Sequence, residues 1–126
     1  MIEKIKSTIT DAFKNFNAKH GIPMKDIRIK ITKNNGSLNY FLMNQSQAIA
    51  ATELKEIVGS TAMLLAGSTI RTKLHNSVEK VINENGLNEE NADVQFLFST
   101  TTFSPIAKLY NNGQPVKDID IEKLLN

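Results

Sequence analysis

The spacing of hydrophobic positions changes along the chain, and each change marks an element. Ile2, Ile5, Ile9, Ala12, Phe13 and Phe16 recur at steps of three and four, the stripe of an amphipathic helix. Gly21 followed by Pro23 stops that helix. The period then drops to two: Ile27, Ile29 and Ile31 alternate with Arg28, Lys30 and Thr32, which predicts a half-buried strand. Asn34-Asn35-Gly36 supplies residues tolerant of positive φ for a hairpin turn, and Leu38 to Met43 forms the returning strand.

From Ser46 to Ala66 the helical period returns, with Ala51, Leu54, Ile57, Val58, Ala62 and Leu65 on one side of a second helix. Gly67 ends it and Ser68 caps a third, whose stripe of Ile70, Leu74, Val78, Val81 and Ile82 runs up to Gly86. Leu87 to Ala92 reads as loop. Val94, Phe96 and Phe98 alternate as the buried face of a strand, and a threonine-rich stretch and Pro105 follow. Ile106 to Tyr110, the turn Asn111-Asn112-Gly113, and Val116 to Ile121 predict a second hairpin, and Glu122 to Asn126 adds a helical turn.

The predicted order is α-β-β-α-α-β-β-β with a short C-terminal helical turn, a single α+β domain over residues 1–126. Two hairpins build an antiparallel sheet, and two or three helices cover it. The halves share a pattern: a helix, Gly plus an aliphatic residue (Gly21-Ile22, Gly86-Leu87), a loop, Asp plus a β-branched residue (Asp26-Ile27, Asp93-Val94), an alternating strand, then Asn-Asn-Gly. This predicts a pseudo-repeated α-β-β unit.

Composition fits one ordinary core, with 126 residues, 40% hydrophobic and 22% charged. No apolar run approaches the roughly 18 residues that span a bilayer. The N-terminus alternates charge with isoleucine and lacks the apolar core of a signal peptide, so a secreted form is not expected. The absence of cysteine excludes disulfides and thiolate catalysis and agrees with a reducing compartment, the cytoplasm or a virion. Preference for Lys, Asn and Ile over Arg suggests an AT-rich coding sequence, compatible with a phage, a mobile element or a low-GC bacterium.

Charge is unevenly spread. Met1 to Lys33 holds eight basic and three acidic residues, a net +5, which leaves −3 for the rest of the +2 chain. Arg28 and Lys30 share one strand face, and with Tyr40 on the neighbouring strand they can track a phosphate backbone while a ring stacks on a base. The same alternation also serves any one-sided sheet, and its charge guards an edge.

Other polar groupings carry weaker chemistry. Arg71, His75 and Glu79 fall at four-residue steps on one helix face, where a small enzyme would place His75 with Glu79 orienting it; ion pairing along a solvated helix explains them as well. Asp118, Asp120 and Glu122 share a strand face and suit a hard divalent cation, although no calcium-loop glycine accompanies them and Asp120 can instead cap the final turn. His20 beside Gly21 suits a helix C-terminal cation. Gly59-Ser60-Thr61 and Gly67-Ser68-Thr69 lack the phosphate-loop Gly-Lys-Ser/Thr and fit close helix packing. No cofactor, metal or small-molecule ligand is indicated. The leading expectation is a non-enzymatic interaction or assembly protein that binds a protein partner or copies of itself, and the alternative is a nucleic-acid-binding module using the basic N-terminal quarter.

Overall fold

The structure is a computed structural model that describes residues 2–34, 37–45, 47–48 and 68–125. Helix α1 spans Ile2–His20 and leads through a 3-10 turn, Met24–Asp26, into β1 (Ile27–Asn34), β2 (Ser37–Asn44) and the two-residue β3 (Gln47–Ala48). Helix α2 (Ser68–Glu84) precedes β4 (Ala92–Ser99), β5 (Ser104–Asn111) and β6 (Gln114–Ile119), and α3 (Ile121–Leu125) ends the described chain. These elements form the expected α+β fold. Within the expected second helix, Gln47 and Ala48 pair instead with β2 as a strand, and residues 49–67 lie outside the described residues.

All strand pairings are antiparallel, in the order β3-β2-β1-β4-β5-β6. That order is symmetric about the β1–β4 seam. The offset that brings Asp26 onto Asp93 also brings Ile29 onto Phe96, and those two residues lie directly opposite each other across the seam. The two Asn-Asn-Gly turns are not equivalent, however. The first joins β1 to β2, whereas Asn111-Asn112-Gly113 joins β5 to β6, and the β4–β5 turn is the longer Thr100–Phe103 loop. At the second tripeptide Asn112 and Gly113 both have positive φ, 53° and 79°, the two-residue turn that matches the twist of a hairpin.

Both long helices end on a glycine in the left-handed region. At Gly86 (φ 66°) its N–H donates to Asn83 O at 3.0 Å and Leu87 N–H to Ile82 O at 3.1 Å, the paired bonds of a Schellman ending, and Leu87 packs on the core. Gly21 (φ 65°) makes the simpler single bond to Asn17 O at 3.0 Å.

One face of the sheet holds the core. Ile27, Ile29 and Ile31, Val94, Phe96 and Phe98, and Ala107 and Leu109 pack against Ile9, Phe13 and Phe16 of α1, Val78 and Ile82 of α2, and Ile121 and Leu124 of α3. All three helices therefore cover the same face. Phe13 and Phe98 meet with ring centroids 5.6 Å apart, tying α1 to the middle of the sheet.

Candidate functional site on the second face of the sheet

Alternation along β1 sends Ile27, Ile29 and Ile31 to the helices and Arg28, Lys30 and Thr32 to the second face. Register extends that face into a row: Lys30 lies opposite Phe41 on β2 and Gln95 on β4, Gln95 opposite Lys108 on β5, and Lys108 opposite Asp118 on β6. Asp93 and Tyr110 form the neighbouring pair. This face is not a wholly solvated surface, because Asp93, Gln95 and Tyr110 are only 4%, 6% and 4% exposed. Gln95 Nε2 donates to Asp93 Oδ2 at 2.9 Å. Burial holds the Asp93 carboxyl above the ordinary carboxylate range, against smaller downward pulls from the Gln95 amide and the charge of Lys30.

Of the expected basic strand face, Arg28 is engaged within the fold. The Arg28 guanidinium reaches across the sheet to Tyr110, donating from Nη1 to Oη at 3.4 Å with its carbon 5.8 Å from the ring centroid. Among the described residues its buried Nε meets no acceptor and the buried Gln95 Oε1 no donor. Lys30 is half-buried. Tyr40 is the register partner of Ile31, while Met43 and Phe41 are those of Arg28 and Lys30. The aromatics beside the two cations are accordingly Phe41 and Tyr110. A two-residue turn at Asn35-Gly36 would have predicted the Phe41 pairing by counting back from Asn34 and Ser37. No sequence signal marked Asp93, Gln95 and Tyr110, because polar residues between Val94, Phe96 and Phe98 read as solvent-facing.

The other sequence candidates separate. His75 Nε2 lies 3.9 Å from Glu79 Oε2, but Glu79 Oε1 is 3.0 Å from Lys33 Nζ, which in turn lies 3.6 Å from Glu89. Lys33 is 8% exposed, and its hydrogen bond to Glu79 raises its pKa against an opposing desolvation. His75 and Glu79 thus belong to an ion-pair network that clips α2 to the end of β1. The side chains of Arg71 and Lys73 are not among those described.

Asp118, Asp120 and Glu122 do not share one strand face, because β6 ends at Ile119. Asp118 faces solvent 3.9 Å from Lys108, the Asp120 carboxylate accepts the Glu122 N–H at 3.0 Å as the cap of α3, and Glu122 lies 3.8 Å from Lys6. Among the described residues no three His, Asp or Glu side chains gather to hold a metal ion, and no helix is long and apolar enough to cross a membrane. His20 stacks on Phe16, its ring centroid 6.0 Å away. Gly59-Ser60-Thr61 and Gly67 lie outside the described residues, and α2 begins at Ser68.

At the end of the sheet a cleft of about 570 Å³ is lined by Lys30, Thr32 and Lys33 of β1, Phe41 of β2, Glu89, Glu90 and Asn91 of the loop before β4, Ala92 and Asp93 of β4, and the Asn112-Gly113 turn. No protein-family model matches this chain, and neither does any curated protein or solved structure.

Proposed function

We propose that this protein is a non-enzymatic interaction protein, acting in assembly with a protein partner or with further copies of itself, and that Phe103 is its anchor. The carrying observation is the state of that side chain. Phe103 is 57% exposed and sits at φ 50°, in the left-handed region that costs a residue bearing a Cβ roughly 1–2 kcal/mol. A bulky residue at such a position is uncommon, and glycine or asparagine would occupy the turn without that strain.

Strain retained at an exposed aromatic supports a role outside the fold's own stability. The ring is also held in place before any partner arrives. It meets Phe98 edge-on at 4.9 Å, and Lys14 Nζ lies 5.5 Å from its centroid. Ser99 Oγ accepts the Thr102 N–H at 3.3 Å, and the Thr102 and Ser104 hydroxyls lie 2.7 Å apart. Pre-organised aromatics are favoured interface anchors because little rotamer freedom is lost on binding. The enzyme reading draws less support, since Glu79 is shared with Lys33 and the carboxylates near Asp118 have separate partners. Nucleic-acid binding draws less as well, because Arg28 is directed onto Tyr110.

Size exclusion with light scattering, on wild type and Phe103→Gly purified from the native host, tests the reading. Wild type should run as a defined multimer or with a stoichiometric protein partner. The variant should be monomeric and partner-free while its far-ultraviolet circular dichroism matches that of wild type. A strictly monomeric, partner-free wild type, or a variant that assembles unchanged, defeats the proposal. Arg28→Ala with Lys30→Ala separates the alternative: salt-sensitive nucleic-acid binding lost in that variant would favour it instead.

A further inference from the structure

Asn85-Gly86 and Asn112-Gly113 are Asn-Gly dipeptides among the described residues, and the fold treats them differently. A glycine after asparagine has no side chain to hinder attack by its own backbone nitrogen on the asparagine Cγ, so in a free chain both pairs are prone to lose ammonia. At the end of α2 both reacting groups are held. Asn85 Nδ2 donates to Val81 O at 2.7 Å, and the Gly86 N–H donates to Asn83 O at 3.0 Å. At the β5–β6 turn neither is held. Asn112 and Gly113 are exposed, and among the described residues neither the Asn112 side chain nor the Gly113 N–H makes a hydrogen bond. The tie from the Asn112 N–H to Asn91 O, at 2.8 Å, engages neither reacting group.

We infer that Asn112 is a site of spontaneous deamidation in the folded protein, while Asn85 is protected by its hydrogen bonds. The Gly113 amide gives its proton to a solvent base and its nitrogen bonds to Cγ of Asn112. The Cγ–Nδ2 bond breaks, and Nδ2 leaves as ammonia. Water then opens the cyclic imide. Hydrolysis of the N–Cγ bond leaves aspartate, and hydrolysis at the main-chain carbonyl leaves isoaspartate, whose backbone carries an extra methylene. Either product places a new negative charge on the rim of the cleft that Glu89, Glu90 and Asp93 already line. Isoaspartate also lengthens the turn between the paired residues Asn111 and Gln114, which works against the register of β5 and β6. The reaction does not depend on assembly through Phe103.

Ageing the whole folded protein at mildly alkaline pH, with tryptic digestion of samples taken over time, tests the inference. Trypsin releases Asn112 in residues 109–117 and Asn85 in residues 81–108. Mass spectrometry should show amide-to-acid conversion at Asn112 at least tenfold faster than at Asn85, with aspartate and isoaspartate forms of the first peptide eluting separately. An isoaspartate methyltransferase should label that peptide and leave the other unlabelled. In a parallel sample aged in guanidinium chloride, where the hydrogen bonds of Asn85 and Gly86 are lost, the two rates should converge. Conversion of Asn112 no faster than Asn85 in protein that circular dichroism shows to be folded overturns the inference. So does fragmentation that places the new acid at Asn111, and so does a rate ratio unchanged by unfolding.

Discussion

At the scale of single residues, Asp93 is the group most at odds with its surroundings, and its titration has a definite sign. Burial raises its folded pKa above the ordinary carboxylate value. A carboxyl raised in this way binds protons more tightly in the native state than in the unfolded chain. Its contribution to stability therefore declines as pH rises from the ordinary carboxylate range through the raised folded value, and levels off above that. Asp93→Asn removes the decline. Urea unfolding from pH 3.5 to 7 should show the variant gaining on wild type as pH rises through that window, and a gap independent of pH would contradict the assignment.

Lys33 titrates with the same sign but in a far more alkaline window. Its folded pKa is raised, so its contribution is complete below the unfolded value of 10.5 and is lost only as pH climbs through the raised one. At neutral pH the network is intact, and its partners can be ranked by distance. Glu79→Gln, removing the 3.0 Å contact, should lower the urea midpoint more than Glu89→Gln, removing the 3.6 Å contact, and added salt should shrink both effects. Equal effects, or a larger one at Glu89, would refute the ranking.

Elements are where sequence and structure agree most closely, because their ends are set by local chemistry. Gly86 adopts φ 66° with open space around a hypothetical Cβ, so Gly86→Ala should cost about 1–2 kcal/mol from backbone strain alone. Asp120→Ala should cost about 1 kcal/mol by leaving the Glu122 N–H without its cap. Chemical denaturation of the two variants checks both values; a change near zero at Gly86 would mean that the Schellman ending contributes nothing. These caps, the alternation of β1 and β4, and the Asn112-Gly113 turn were all legible in the sequence, since each depends on residues close together in the chain. The second face was not. Its polar residues read as solvated because the burial of Asp93 and Gln95 depends on what the rest of the chain brings to β4. Tyr110 becomes a partner of Arg28 only after β1, β4 and β5 are aligned.

For the whole molecule, stability rests on a single core that joins both halves. Phe96 is 1% exposed at the β1–β4 seam, and Phe96→Ala should cost about 3–5 kcal/mol, a large share of the roughly 5–15 kcal/mol of a typical domain. Calorimetric unfolding should remain one transition at a lower midpoint. Independent unfolding of two halves would contradict a shared core. The symmetric strand order supports the pseudo-repeat, yet the Asn-Asn-Gly tripeptides that suggested it fall in different hairpins. The topology is repeated more faithfully than the turns.

By itself the sequence determined the type of nearly every described element, the inward set of each central strand and the positions of the helix ends, because periodicity, capping and turn preference act over a few residues. Tertiary structure alone decided which strand lies beside which, the two-residue β3, the burial of the second face and the strain at Phe103. It also decided that Arg28 turns to Tyr110 while Lys30 and Asp93 share a cleft. Those outcomes depend on contacts between distant segments, and the energy of such contacts is set by register, burial and dielectric surroundings that no local pattern carries.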